Sequence, residues 1–346
     1  MLCYEFINNY LSELEKENKF SGAVLVARNF KTEFKKAYGL SNIRFGIPNS
    51  EDTIFNLGSM GKMFTGVLIA QLEEEGKIKF TDKVEKHLSH LNSEFGKITI
   101  HQLLTHTSGL DSYFNEEFEK YSNRLNTLNQ FFDLFKDSSL LFTPGEKFHY
   151  SNSGYVILGL IIEAITNENY YDYVKEKIFI KAGMTNTDFY EMDQVVPNLA
   201  DGYTEVNFNL ELEPDLIRNN IFIQGLRGSS AGGCFSTIND LLKFAEALEN
   251  NVFISSSTLD KITDGKISLK EETNVSIKYG YGFFDRVLDG IRHYSHGGDL
   301  PGAHTDFRYY PEEKILIVVL SNNDIMSGKP RVEKVIEENI FKKYSF

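Results

Sequence analysis

Cysteine is almost absent: Cys3 and Cys234 are the only two in 346 residues. Two thiols cannot build a disulfide framework, and Cys3 sits beside a terminus, so a reducing compartment is compatible with the chain. Positive charge is scarce too, with 36 Lys and Arg against 49 Asp and Glu and a net charge of -13. That balance argues against sequence-independent nucleic-acid binding, which needs cations opposite phosphates, and against a polybasic membrane patch. Long apolar runs are missing as well. The longest, Tyr155 to Ile162, is far short of the ~20 residues that span a bilayer. Residues 2–17 alternate Phe6, Ile7, Tyr10, Leu11 and Leu14 with acidic residues, an amphipathic helix rather than a secretory leader. The expected location is the cytoplasm, or outside it if a leader has been trimmed from the chain. Metal-ligand patterns are lacking: there is no His-Glu-x-x-His and no cysteine cluster, so neither a metal nor another cofactor is expected. His87 and His90, three apart on an expected helix, should face solvent.

What the chain does have begins at Ser59 and Lys62. Across residues 53–72, Met60, Met63, Phe64, Val67, Leu68 and Leu72 recur at helical spacing, which predicts a helix with one buried stripe. Gly76 should stop it. Ser59 falls near its N-terminus, where unpaired N–H groups and the helix dipole favour an anionic oxygen. Lys62 lies one turn on, on the same face. A serine needs a base to act as a nucleophile at neutral pH, and a partly desolvated lysine can serve. Alone, the pair is more simply a helix cap followed by a solvated lysine.

Two further segments carry suitable partners. Tyr150, Ser151 and Asn152 lie between the Pro144-Gly145 turn and an apolar helix from Val156, so a loop held by a rigid element presents them. Tyr150 would relay a proton if neighbouring positive charge lowers its pKa. Asn152 would donate to a substrate carbonyl and hold Lys62. Residues 294–302 contain His296, Gly297 and Gly298. Paired glycines on a strand let a ligand approach the backbone. The N–H of Asp299 would then complete an oxyanion hole with that of Ser59, and His296 would point a donor or a titratable charge into the cleft.

Together these segments resemble the serine β-lactamase/penicillin-binding-protein superfamily, in its class C-like branch. There, Ser-x-x-Lys is joined by Tyr-x-Asn and often by His-x-Gly. The likeness extends to Phe20-Ser21-Gly22, Ile100 to Leu110, Ser230-Ala231-Gly232-Gly233 and Tyr279-Gly280-Tyr281-Gly282. The resemblance implies Ser59 as acylated nucleophile, Lys62 and Tyr150 as proton-transfer partners, and Asn152, His296, Gly297 and Gly298 as substrate contacts. It implies a carboxylesterase, a D-amino-acid peptidase or a weak β-lactamase, acting on a small ester, peptide or β-lactam. His-Gly-Gly replaces Lys-Thr-Gly here, which removes the ammonium that attracts a β-lactam carboxylate unless another cation such as Arg308 supplies it. The alternative is a sensor that is acylated at Ser59 without turnover; a non-catalytic scaffold is a third reading.

The expected fold class is α+β. Strands near 22–28 and 33–38 join others near 279–287, 291–296, 304–310 and 315–321 in one antiparallel sheet, with both terminal helices covering a face. Residues 1–80 and 226–346 would form this discontinuous domain, and residues 81–225 a mainly helical insert. Thr99 to Gln102 is a capping box. Gly228-Ser229-Ser230-Ala231-Gly232 also fits a nucleophile elbow, but no helix follows at once, so a small-residue turn lining the cleft is expected instead. Tyr113, Phe114, Phe118 and Tyr121 are candidate cleft walls, and His106 a candidate anchor for the turn from Thr105 to Gly109.

Overall fold

A computed structural model describes residues 2–89, 91, 93–207, 211–213, 216–324 and 331–341. The first helix, α1, covers Leu2–Lys16 and leads into the hairpin β1 (Gly22–Arg28) and β2 (Lys31–Tyr38). Helix α2 (Lys62–Glu74) carries the lysine, α3 (Asn152–Thr166) follows the tyrosine loop, and α4 (Ile238–Glu249) precedes the remaining strands. These are β3 (Ile267–Glu272), β4 (Val275–Tyr279), β5 (Phe284–Leu288), β6 (Ile291–Leu300), β7 (Ala303–Tyr310) and β8 (Ile315–Ser321), and α5 (Val332–Phe341) comes last.

The eight strands form one antiparallel sheet in the order β2-β1-β8-β7-β6-β5-β4-β3. Strands from both ends of the chain meet one strand in from the β2 edge, where Gly22 opposes Ser321 and Arg28 opposes Ile315. Strand periodicity sends alternate side chains to opposite faces. Val24, Val26, Ile317 and Val319 pack with Ile7 and Leu11 of α1 and Ile336 of α5. Ala23, Leu25, Val318 and Leu320 join the larger core, which also holds α2, α3 and α4.

Several expectations need adjustment. Helix α2 is buried all round from Lys62 to Leu72, not along one stripe, because it runs between the sheet and the helical part. It ends as expected at Gly76, whose φ is +70°. There Lys77 N–H donates to Leu72 O at 2.9 Å and Gly76 N–H to Glu73 O at 3.0 Å, a Schellman closure. The capping box at Thr99 and Gln102 is present on the helix Ile100–Leu104. The segment expected as one strand over 279–287 is broken, because Gly280 to Phe283 form a turn in which Gly282 adopts a φ of +85°. Strand β3, and β4 as far as Lys278, went unforeseen; β3 is a charged, largely exposed edge, without the apolar alternation that marks a strand.

Residues 81–225, expected to be mainly helical, are so only as far as Ala182. Beyond it the described chain up to Thr237 is mostly irregular, with two-residue strands and one short turn of helix at Asn220–Phe222. Its backbone is satisfied elsewhere: Ala200 N–H donates to Ile54 O, Asp201 N–H to Ser41 O and Tyr203 N–H to Asn322 O. His87 does not face solvent. Its side chain is 8 % exposed and its Nε2 lies 3.1 Å from Asp82. His90 lies outside the described residues.

Candidate active site

Ser59 sits on a single 3₁₀ turn, Gly58–Gly61, that runs straight into α2. The cap residues of the two segments are Leu57 and Gly61, and neither makes a side-chain cap bond. Ser59 is therefore not the helix cap. Its turn is wedged between two glycine-bearing segments. A methyl group on Gly298 would lie 2.2 Å from Leu57 O and 2.9 Å from Ser59 N, and one on Gly232 would lie 2.2 Å from Gly58 O. Only glycine permits these approaches.

Lys62 is fully buried. Its Nζ lies 2.7 Å from Asn152 Oδ1, 2.7 Å from Ala231 O and 3.1 Å from Ser59 Oγ. Burial holds its pKa well below 10.5, and no carboxylate among the described residues is paired with it. The two carbonyl oxygens can only accept. In its neutral form the amine would give both N–H groups to them and keep its lone pair for the Ser59 hydroxyl, 3.1 Å away. The amine also lies over the rings of Tyr150 and Tyr155, 4.8 and 5.4 Å from their centroids.

Ser151 caps α3 by accepting from Gly154 N–H at 3.3 Å, and this fixes its two neighbours. Burial pushes the Tyr150 hydroxyl pKa upward, and a hydrogen bond with Ser59 offsets this only in part. The lowering that a neighbouring positive charge would bring is not found, because burial outweighs every other influence on this hydroxyl. Asn152 Nδ2 donates to Ser112 Oγ at 3.2 Å. That orients Oδ1 towards Lys62 and engages the group expected to meet a substrate carbonyl.

His296 departs from expectation. It is buried and does not line the cavity. Its Nδ1 donates to Gly297 O at 2.7 Å and its Nε2 accepts from Tyr279 OH at 3.1 Å. Burial, then the nearby Lys62, lowers its pKa to about 3, so the ring is neutral and points no charge into the cleft. Gly297 and Gly298 do not line the cavity either; Gly298 is where β6 presses against the Ser59 turn. Asp299, the next residue, does border it. Arg308 points to the opposite face of the sheet, where it pairs with Asp306 at 2.7 Å and Glu337 at 2.6 Å.

The cavity measures about 430 Å³ and is bordered by Ser59, Tyr150, Asn152 and Asp299. Tyr113, Phe114 and Phe118 wall it as expected, joined by Phe131, Tyr190, Met192 and Phe222, whereas Tyr121 is not among its walls. Arg227 is the one Lys or Arg among the described residues that border it. Its guanidinium stacks 3.8 Å above the Tyr171 ring, and its Nε donates to Phe189 O at 2.9 Å.

The rival serine is spoken for. Ser230 is buried and donates to Tyr155 O at 2.8 Å. Its neighbours form a tight turn, closed by paired bonds between Ser229 and Gly232 of 2.8 and 2.9 Å. Gly228, Ala231, Gly232 and Gly233 of that turn border the cavity. Two contributors were not foreseen in the roles they take. The Ala231 carbonyl carries no side-chain signal at all. His106, with a φ of +57°, anchors the tyrosine loop rather than its own turn: its Nδ1 accepts from Ser151 N–H at 3.1 Å, and its ring lies 4.2 Å from that of Tyr150.

The chain is similar to known proteins over most of its length. The beta-lactamase family model matches residues 7–337. Penicillin-binding protein 4* of Bacillus subtilis (strain 168) is 29% identical over 320 residues, 90% of this chain and 70% of that protein. The crystal structure of a penicillin binding protein from Bacillus halodurans superposes with a TM-score of 0.84 at 30% identity, covering 94% of this chain and 97% of that one. A D-stereospecific amidohydrolase from Streptomyces sp. does so with 0.76 at 26%, covering 92% and 94%. Among the described residues no helix is long and apolar enough to cross a membrane. The chain belongs to the beta-lactamase family.

Proposed function

We propose that the protein is a serine hydrolase that acylates Ser59 with a small ester or amide. The observation that carries this reading is the buried Lys62 amine, 2.7 Å from two carbonyl oxygens and 3.1 Å from Ser59 Oγ; once neutral, it gives its N–H groups to the carbonyls and its lone pair to Ser59. Ser59 Oγ forms the bond to the carbonyl carbon while its proton passes to Lys62 Nζ. The N–H groups of Ser59 and Asp299 stabilise the oxyanion. Collapse breaks the bond to the leaving group, which takes the proton back from Lys62 through the Tyr150 hydroxyl. Water then enters by the same path in reverse and releases the acid. Lys62 is the principal base, because burial lowers its pKa and raises that of Tyr150.

The walls favour a neutral substrate with an apolar acyl group. Among the described residues, eight aromatic ones border the cavity, and the single bordering guanidinium is held against Tyr171 and lies 3.9 Å from Glu191. A free carboxylate, as on a β-lactam or a D-Ala-D-Ala peptide, would meet no unengaged cation among the described residues. Steady-state rates on p-nitrophenyl esters, a D-amino-acid amide, a D-Ala-D-Ala peptide and nitrocefin test this. Esters or the neutral amide should dominate, and Ser59→Ala should abolish the reaction. Dominant nitrocefin turnover contradicts the substrate assignment. A stable β-lactam adduct on Ser59, without product release, would make the protein an acyl acceptor rather than a hydrolase.

A further inference from the structure

The Gly297-Gly298 pair leaves the end of β6 without a side-chain anchor just where it presses on the Ser59 turn. The first side chain after the glycines is that of Asp299, whose N–H is the proposed oxyanion donor. It is paired across the strands with His304 of β7. His304 Nδ1 lies 2.6 Å from Asp299 Oδ1, and its Nε2 lies 3.1 Å from Oε2 of Glu333 on α5. His304 and Glu333 are buried, while the Asp299 carboxylate is 48 % exposed.

We propose that His304 is a positioning residue: by bridging Asp299 to Glu333 it ties the end of β6 to α5 and holds the Asp299 amide in place for the oxyanion. This rests on the reading of Ser59 and Asp299 given above. Carboxylate oxygens only accept, so an imidazole that meets one at each nitrogen donates from both and is an imidazolium. Burial by itself would lower the His304 pKa, but the hydrogen bonds to Asp299 and Glu333 outweigh it and push the value up to about 9. Other charges facing the bridge are Arg331, which pairs with both Asp299 and Glu333, and Arg308, which lies 3.6 Å from Glu333 Oε1. Tyr10 of α1 also feels Glu333, and Asp324 accepts from Gly302 N–H in the turn between β6 and β7.

A raised pKa means that the bridge is complete below it and is lost as pH rises through about 9. The wild-type kcat on a p-nitrophenyl ester, corrected for spontaneous hydrolysis, should therefore fall near that pH. His304→Gln is neutral at every pH. It should lower kcat at neutral pH roughly tenfold or more, part of the ~10²–10³ lost with an oxyanion donor itself. KM should stay the same and the alkaline fall should vanish. If that variant does not fold, Glu333→Gln decides: removing one partner should move the alkaline fall to lower pH. The proposal is overturned by a wild-type profile flat through pH 9, by a His304→Gln kcat equal to wild type, or by a loss carried in KM. A fall that stays near pH 9 in either variant overturns it as well. Wild type that a fluorophosphonate never labels at Ser59 would sink the underlying reading too, whereas normal labelling with unaffected variants sinks only the role of His304.

Discussion

Lys62 Nζ donates to the carbonyl of Ala231 at 2.7 Å, a contact between residues 169 positions apart. It turns an amine that would bond whatever lies nearby into one with a single orientation. Substituting Ala231 leaves this carbonyl in place, so only removal of the amine tests it. Lys62→Met should fold and should lose about 10²–10⁴ in kcat, the usual contribution of a positioned base. Circular dichroism and ester hydrolysis on one preparation check both statements.

Lys62 also sets an acid limb. Only the neutral amine can accept the Ser59 proton, and its folded pKa lies well below 10.5. Activity should therefore fall as pH drops through that lowered value. The linkage for stability follows: between the folded and unfolded pKa the unfolded chain binds the extra proton, so this group makes stability rise with pH. Wild type should show that rise in denaturation midpoints up to about pH 10.5, and Lys62→Met should lack this contribution.

His296 should leave no mark on the pH profile. With its pKa lowered to about 3, the ring is already neutral wherever the protein is assayed. His296→Gln is expected to change the rate through its contacts with Tyr279 and Gly297, while the acid limb keeps its position. A limb that moves with this substitution would return His296 to the role of a titrating group.

Gly298 should be intolerant of the smallest side chain. A methyl group there meets backbone, not a flexible side chain, and one of the atoms met is Ser59 N. Gly298→Ala should cost about 1–3 kcal/mol in chemical denaturation, as overpacking does. It should also depress kcat by displacing the oxyanion amide. A variant as stable and active as wild type would mean that the strand is free to move.

Much of this was legible in the sequence, and the exceptions have physical causes. Ser59, Lys62, Tyr150 and Asn152 could be paired because short spacings and turn residues place each on a definite element. Strands β1 and β8 were legible because they are apolar runs, and the terminal helices because their apolar residues keep helical spacing. Irregular backbone was not. Residues 199–204 are fixed by main-chain bonds to distant segments, which no local pattern encodes. Orientation was hidden in the same way. His296 and Arg308 have chemistry suited to a cleft, yet one turns to Tyr279 and the other to the far face of the sheet. The Ala231 carbonyl and the His304 bridge depend on which strands become neighbours.

The most direct test of the account is to label the protein with a fluorophosphonate and locate the adduct by peptide mass spectrometry. The account predicts one adduct, on Ser59, formed rapidly by wild type, absent from Ser59→Ala and unchanged in Ser230→Ala. An adduct on any other residue, or rapid labelling of Ser59→Ala, would contradict it.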